Sequence, residues 1–257
     1  MIKGNISIAS SWNQLNDWQA QEIAHLYLNA SAEDFTEAYV KMILVVYQKS
    51  PSKKDRRFLD KLTKEVPISE LEKYCTYLRD STNFFRFPEI SGLIKPADRI
   101  ENITIRQFST IDTFFYAWNQ ERSIINLKRL VTTLYRLHHE YDALDLRPVA
   151  LITDKIPVKQ MEAIALAYLF TRIYIENKYP IIFPKKDETE DINVPVFKSQ
   201  NKSFVPFDKV ITAMAMDELQ PLGKKQDANN VRVYEFLDVY SESIVYQKQK
   251  AKAYERK

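Results

Sequence analysis

Glycine is scarce in this sequence: three residues in 257, at Gly4, Gly92 and Gly223. Phosphate-cradling loops and tight hairpin turns draw on glycine, which accepts positive φ and lets another backbone or a ligand approach closely. Its scarcity argues against a glycine-rich nucleotide loop and against a hairpin-rich β fold. The single cysteine, Cys75, excludes an intrachain disulfide framework and a multi-cysteine metal site. The longest apolar run, Ala163 to Phe170, falls far short of the roughly 20 residues that a membrane span needs. No apolar h-region follows the initial Met-Ile-Lys, so a cytoplasmic location is expected. Charge of one sign is lacking as well. Lys and Arg number 37 against 34 Asp and Glu, a net +3, well below the charge density of a dedicated nucleic-acid binder.

What is present is helical periodicity on an ordinary globular composition, 45% hydrophobic and 28% charged. Asn16 with Gln19 forms a capping pattern, after which Trp18, Ile23, Leu26 and Tyr27 share a face. Ser31 and Asp34 open a second helix with the stripe Phe35, Ala38, Tyr39, Met42, Ile43 and Val46. A short charged helix after Ser50-Pro51 offers Phe58, Leu59 and Leu62. The next, capped by Ser69 and Glu72, turns Leu71, Tyr74, Cys75 and Leu78 inward. Short connectors between these four predict antiparallel packing.

Residues 83–108, punctuated by Pro88, Gly92 and Pro96, read as a long ordered loop with a short extended piece at Ile103 to Phe108. Helices resume at Ser109, with Ile111, Phe114, Phe115 and Trp118 as the stripe. Another starts near Ser123 and buries Leu127, Leu130, Val131 and Leu134. Residues 141–157 read as a connector. The stretch from Val158 to Asn177 is apolar nearly all round, as befits the central helix of a bundle. Residues 178–206, polar and with four prolines, predict a mobile excursion. Phe207 to Met214 marks one more helix. The last begins after Asn230 and buries Val233, Phe236, Leu237, Tyr240 and Ile244; beyond Tyr246 its apolar stripe stops.

Candidate chemistry is thin. His138, His139, Glu140, Asp142 and Asp145 have metal-ligand types, but adjacent histidines on a helix point about 100° apart and cannot share an ion; His138 with Asp142, at i, i+4, could, yet two ligands alone do not make a site. A helix C-terminus explains them as well. Cys75 lies on an apolar face and reads as a small hydrophobe. Arg172, on the all-apolar helix, demands a buried ion pair or a polar outlet. No catalytic, cofactor or metal residue is assigned, and the chain is expected not to be an enzyme. Two sets of residues are candidates for partner binding. The first is the cationic chain end, Lys248, Lys250, Lys252, Arg256 and Lys257. The second is Phe84, Phe85 and Phe87 in the long loop.

Several segments carry a family resemblance. They are S-W-N-Q-L at 11–15, W-Q-A-Q-E-I-A-H-L at 18–26, the run F-P-E-I-S-G-L-I-K-P-A-D-R-I-E-N-I-T-I-R-Q-F at 87–108, D-T-F-F-Y-A-W, L-V-T-T-L-Y-R at 130–136 and A-Y-L-F-T-R-I-Y-I-E-N-K-Y-P-I-I-F at 167–183. Together, over most of the chain, they resemble proteins from the tail-gene regions of Bacteroidota phages and prophages. The motifs are packing patterns, and none is catalytic. The resemblance implies a role in building or assembling a phage-like particle, with other assembly proteins or a second copy as partners. The chain departs from the family pattern in the polar excursion at 184–206.

The expected fold is mainly α, a multi-helix bundle of about nine or ten helices with long loops and at most a minor β element. It forms one globule over 1–257, or two packed halves (1–82 and 109–257) joined by an ordered connector at 83–108. The expected function is particle assembly through protein contacts, without a cofactor or membrane. The alternative is a nucleic-acid-associated protein that uses the basic C-terminal helix.

Overall fold

A computed structural model describes residues 7–79, 83–139, 141, 145–184, 207–216 and 222–255. The fold is mainly α: 70% of the described residues are helical, and no strand occurs among them. The helices are α1 (Asp17–Asn29), α2 (Phe35–Gln48), α3 (Lys53–Glu65), α4 (Ile68–Glu72), α5 (Ile105–Glu121), α6 (Ile124–Leu134), α7 (Arg147–Thr153), α8 (Val158–Lys178), α9 (Phe207–Met216), α10 (Lys225–Asn230) and α11 (Val233–Glu255). The β content among the described residues is two isolated antiparallel bridges, Ile94 with Arg136 and Thr104 with Arg232. The described chain divides into two compact units. The first holds α1–α4 and the part of α8 up to Thr171; the second holds α5–α7, α8 from Arg172, and α9–α11.

In the first unit, Asn16 caps α1 by the expected box: its side chain accepts from Gln19 N, and the Gln19 side chain accepts from Asn16 N. The buried face of α1 carries Ala20, Ile23, Ala24, Tyr27 and Leu28, while Trp18 and Leu26 are half-buried. Buried Gln19 meets α2 by donating to the Val46 carbonyl at 2.8 Å. The α2 stripe buries Ala38, Tyr39, Met42, Ile43 and Val46 as expected, with Tyr47 added, while Phe35 is half-buried. Every residue of α8 from Met161 to Arg172 is buried. An aromatic cluster closes this core: Trp12 stacks on Phe84 (5.4 Å) and meets Phe170 edge-on (5.3 Å), with Tyr27 against both Trp12 and Phe170. The segment after Pro67 differs from expectation. α4 ends at Glu72 instead of running to Leu78, and the chain turns into a 3₁₀ segment at Thr76–Arg79. Leu71, Cys75 and Leu78 stay buried, but Tyr74 falls on the outside and is 66% exposed. α4's N-cap is Pro67, without a side-chain cap.

In the second unit, α5 starts at Ile105, four residues before the expected Ser109, and the extended piece expected at 103–108 is confined to Ile103 and Thr104, with Thr104 bridged to Arg232. Thr104 is the cap, its hydroxyl accepting from Gln107 N. α5 turns into α6 through Arg122, left-handed at φ 53°, and Ser123, which caps α6 by accepting from Ile125 N. Buried Gln107 donates to the Thr133 carbonyl at 2.8 Å and ties the end of α6 to the first turn of α5. Two short helices are not expected from the sequence: α7 lies in the stretch read as a connector, 141–157, and α10 just before the last expected helix. Pro148 in the first turn of α7 suits a helix start, where no intrahelical donor is needed. α7 joins α6 through the buried Thr132–Thr153 hydroxyl contact, 2.7 Å.

Candidate functional site

α11 begins as an ordinary core helix. Val233, Phe236 and Leu237 are fully buried, and Tyr240 and Ile244 are half-buried. From Val245 to Tyr254 every residue is exposed, yet the helix continues to Glu255. At 1.5 Å per residue this is about 15 Å of solvated helix. Lys248 and Lys252 are one turn apart on the same side, and Lys250 lies across the helix from them. Arg256 and Lys257 lie outside the described residues. Beside the lysines sit apolar groups outside the expected partner-binding set: Val245 (37% exposed), Tyr246 (50%) and Tyr254 (67%). Val245 and Tyr246 fall off the side that buries Phe236, Tyr240 and Ile244, a rotation that helical spacing alone could have shown. This end of α11 can offer charge and aromatic contact to a partner.

The second candidate set is corrected. Phe84 and Phe87 are 3% and 1% exposed, and Phe84 belongs to the Trp12 cluster, so neither presents an interface. Loop backbone is not loop exposure: these rings fill the core while Asn13 holds the loop, accepting from Phe85 N and Arg86 N and donating to the Asn83 carbonyl. Phe85 is half-buried.

His138 and His139 are exposed, but on a bend beyond the end of α6 rather than on a helix. Of the acids that follow them, Glu140 and Asp142 lie outside the described residues. Among the described residues no three His, Cys, Asp or Glu side chains are placed to hold a metal ion. Cys75 is fully buried, and burial pushes its thiol up to about 12, which leaves no thiolate near neutrality. Arg172 has the buried ion pair: Nε donates to Asp112 Oδ1 at 2.9 Å, and Nη1 lies 3.2 Å from Glu176 Oε1. The Phe183 ring lies 4.4 Å below its guanidinium.

One cluster gave no sequence signal, since its members are 137 residues apart. His25 Nδ1 donates to Glu162 Oε2 at 2.7 Å, and Asn29 Nδ2 donates to Glu162 Oε1 at 2.9 Å. His25 and Asn29 border a cavity of about 260 Å³ between α1 and α2, lined also by Asp34, Glu37 and Lys41. Glu37 and Lys41 pair with each other at 2.6 Å. The carboxylate fixes the ring orientation.

No family model, curated protein or solved structure matches the chain.

Proposed function

We propose that this protein is a non-enzymatic assembly or structural component of a phage-like particle, working through protein–protein contacts made by the end of α11. One observation carries the contact reading: Val245 to Tyr254 keep helical form with every residue exposed, and they combine three lysines with Val245, Tyr246 and Tyr254. An isolated helix of this length is marginal in water, and this one has no core contact of its own to gain. A partner supplies that contact. Lys248 and Lys252 call for an acidic partner surface and a salt-sensitive association, because exposed ion pairs contribute only about 0–1 kcal/mol each. The particle setting rests on the family resemblance of residues 11–26, 87–108, 130–136 and 167–183.

The test is co-expression of the full chain, and of a chain ending at Tyr246, with the products of the genes on either side. We expect the full chain to co-elute with a neighbouring gene product in a complex that dissociates as salt is raised. The shortened chain should lose the complex while its melting temperature stays within about 2 °C. Undiminished assembly by the shortened chain, or its unfolding, overturns the reading. Tight duplex-DNA binding with a steep salt slope favours the nucleic-acid alternative.

A further inference from the structure

A second feature is independent of α11's end and lies around Arg136. Arg136 follows the last turn of α6 and is 6% exposed. Its backbone is clamped by Ile94 through a reciprocal pair, Ile94 N to Arg136 O at 2.7 Å and Arg136 N to Ile94 O at 3.1 Å. Nη1 donates to the His139 carbonyl at 2.8 Å, while the buried Nε–H has no acceptor. Among the described residues no carboxylate pairs with Arg136. A guanidinium does not shed its proton, so burial leaves a full positive charge with one carbonyl as its side-chain partner.

The surroundings add positive charge instead of cancelling it. The loop that holds Arg136 at Ile94 runs on to Asn102, whose carbonyl accepts from Arg232 Nη1, and to Thr104, which is bridged to Arg232. Gln107 draws the end of α6 onto the first turn of α5, and the Ile105 N–H donates to the Val231 carbonyl beside Arg232. Arg136 and Arg232 are thus brought together at the N-terminal turn of α5, which carries exposed Arg106 and no acid. The positive end of that helix dipole lies there too. Burial and the charge of Arg232 both push the Arg136 pKa down, the direction expected where a counter-ion is missing. The C-terminal end of α6 offers Arg136 a partial negative charge but no two-oxygen acceptor for its fork.

We propose that Arg136 and Arg232, beside the N-terminal turn of α5, form a binding site for a phosphate group carried by a small ligand. A phosphate supplies what the protein leaves out: negative charge and several acceptor oxygens, matched to planar guanidinium forks that bind two oxygens at once. Arg136, held by the backbone pair with Ile94, is the fixed element. Arg232, exposed, gives the anion its route in.

The experiment is calorimetric titration of the full chain with inorganic phosphate in a chloride buffer of matched ionic strength, repeated on Arg232→Gln and Arg136→Lys. The wild type should bind one equivalent saturably. Arg232→Gln should fold with an unchanged melting temperature in chloride and bind at least about tenfold more weakly, as for a lost charge-assisted contact. Arg136→Lys keeps the charge and loses the fork, and should weaken binding likewise. Should it fail to fold, the exposed Arg232→Gln variant carries the test alone. Absence of saturable binding overturns the proposal. So does affinity unchanged in Arg232→Gln, since anions of this kind also stabilise proteins through general surface exclusion.

Discussion

Arg172 illustrates what one residue can commit a helix to. Its side chain is 6% exposed and Asp112 is 0% exposed, so each is the other's replacement for water. Removing one member of such a pair leaves a buried charge uncompensated, at a typical cost of roughly 3–5 kcal/mol. We expect Asp112→Ala to lose about 3 kcal/mol, the low end of that range, because Glu176 still lies 3.2 Å from Nη1. Replacing both partners by apolar residues of similar volume, Asp112→Leu with Arg172→Met, should recover most of the loss. Urea midpoints of the single and double variants measure both; a single variant within 0.5 kcal/mol of wild type, roughly the scale of a surface substitution, contradicts the account. The need for a partner at Arg172 was legible in the sequence, since a charge on an all-apolar helix cannot stand alone. The partner was not, because Asp112 is 60 residues away and its helix boundary was misjudged.

Helix starts show why local patterns succeed or fail at the scale of an element. Asn16 and Ser123 were legible as caps because each directly precedes an apolar stripe. Thr104 is hidden as a cap because the glycine and prolines upstream and the β-branched Ile103, Thr104 and Ile105 suggest an extended segment. The bridge from Thr104 to Arg232 and the hydrogen bonds from Ile105 N to Val231 O and Val233 N to Ile103 O hold that segment, and α5 springs from it. Thr104→Ala should therefore cost about 1 kcal/mol, the usual price of a helix cap, while Thr104→Ser should be nearly neutral. Equal denaturation midpoints for Thr104→Ala and wild type place the functional start of α5 elsewhere. Tyr74 fails for a related reason: helical spacing puts it inward only if α4 continues, and α4 stops two residues earlier.

Across the whole molecule, buried phenols and the buried thiol give stability a defined alkaline limit. Burial pushes Tyr27, Tyr47, Tyr116 and Cys75 up to about 12 from ordinary values of 10.0 for tyrosine and 9.0 for cysteine. Tyr135, Tyr179 and Tyr234 are raised further by the same cause. Between the ordinary values and about 12, the unfolded chain has released protons that the folded chain still holds. Stability from these groups is therefore complete below about pH 9 and falls as pH rises through 10 to 12. Denaturant unfolding at pH 8, 10 and 11.5 should show this fall, and tyrosinate absorbance should rise in two stages, exposed tyrosines first. A single titration near 10 from a folded protein contradicts it.

Composition and periodicity by themselves determined the class of this fold. With three glycines and continuous i, i+3, i+4 stripes, burial of apolar area is satisfied most simply by helices, and α1, α2, α6 and the buried run of α8 follow from that pattern alone. What only the tertiary structure decided is which unpatterned residues go inside and which charges meet. Phe84 and Phe87 enter the core from a loop because aromatic volume was needed there. Glu162 meets His25, and Arg136 comes to the turn that carries Arg106, across distances in sequence that no local rule spans. Secondary structure is set by forces acting over a few residues, whereas packing and electrostatic partnership are set by proximity in space, which exists only once the chain has folded.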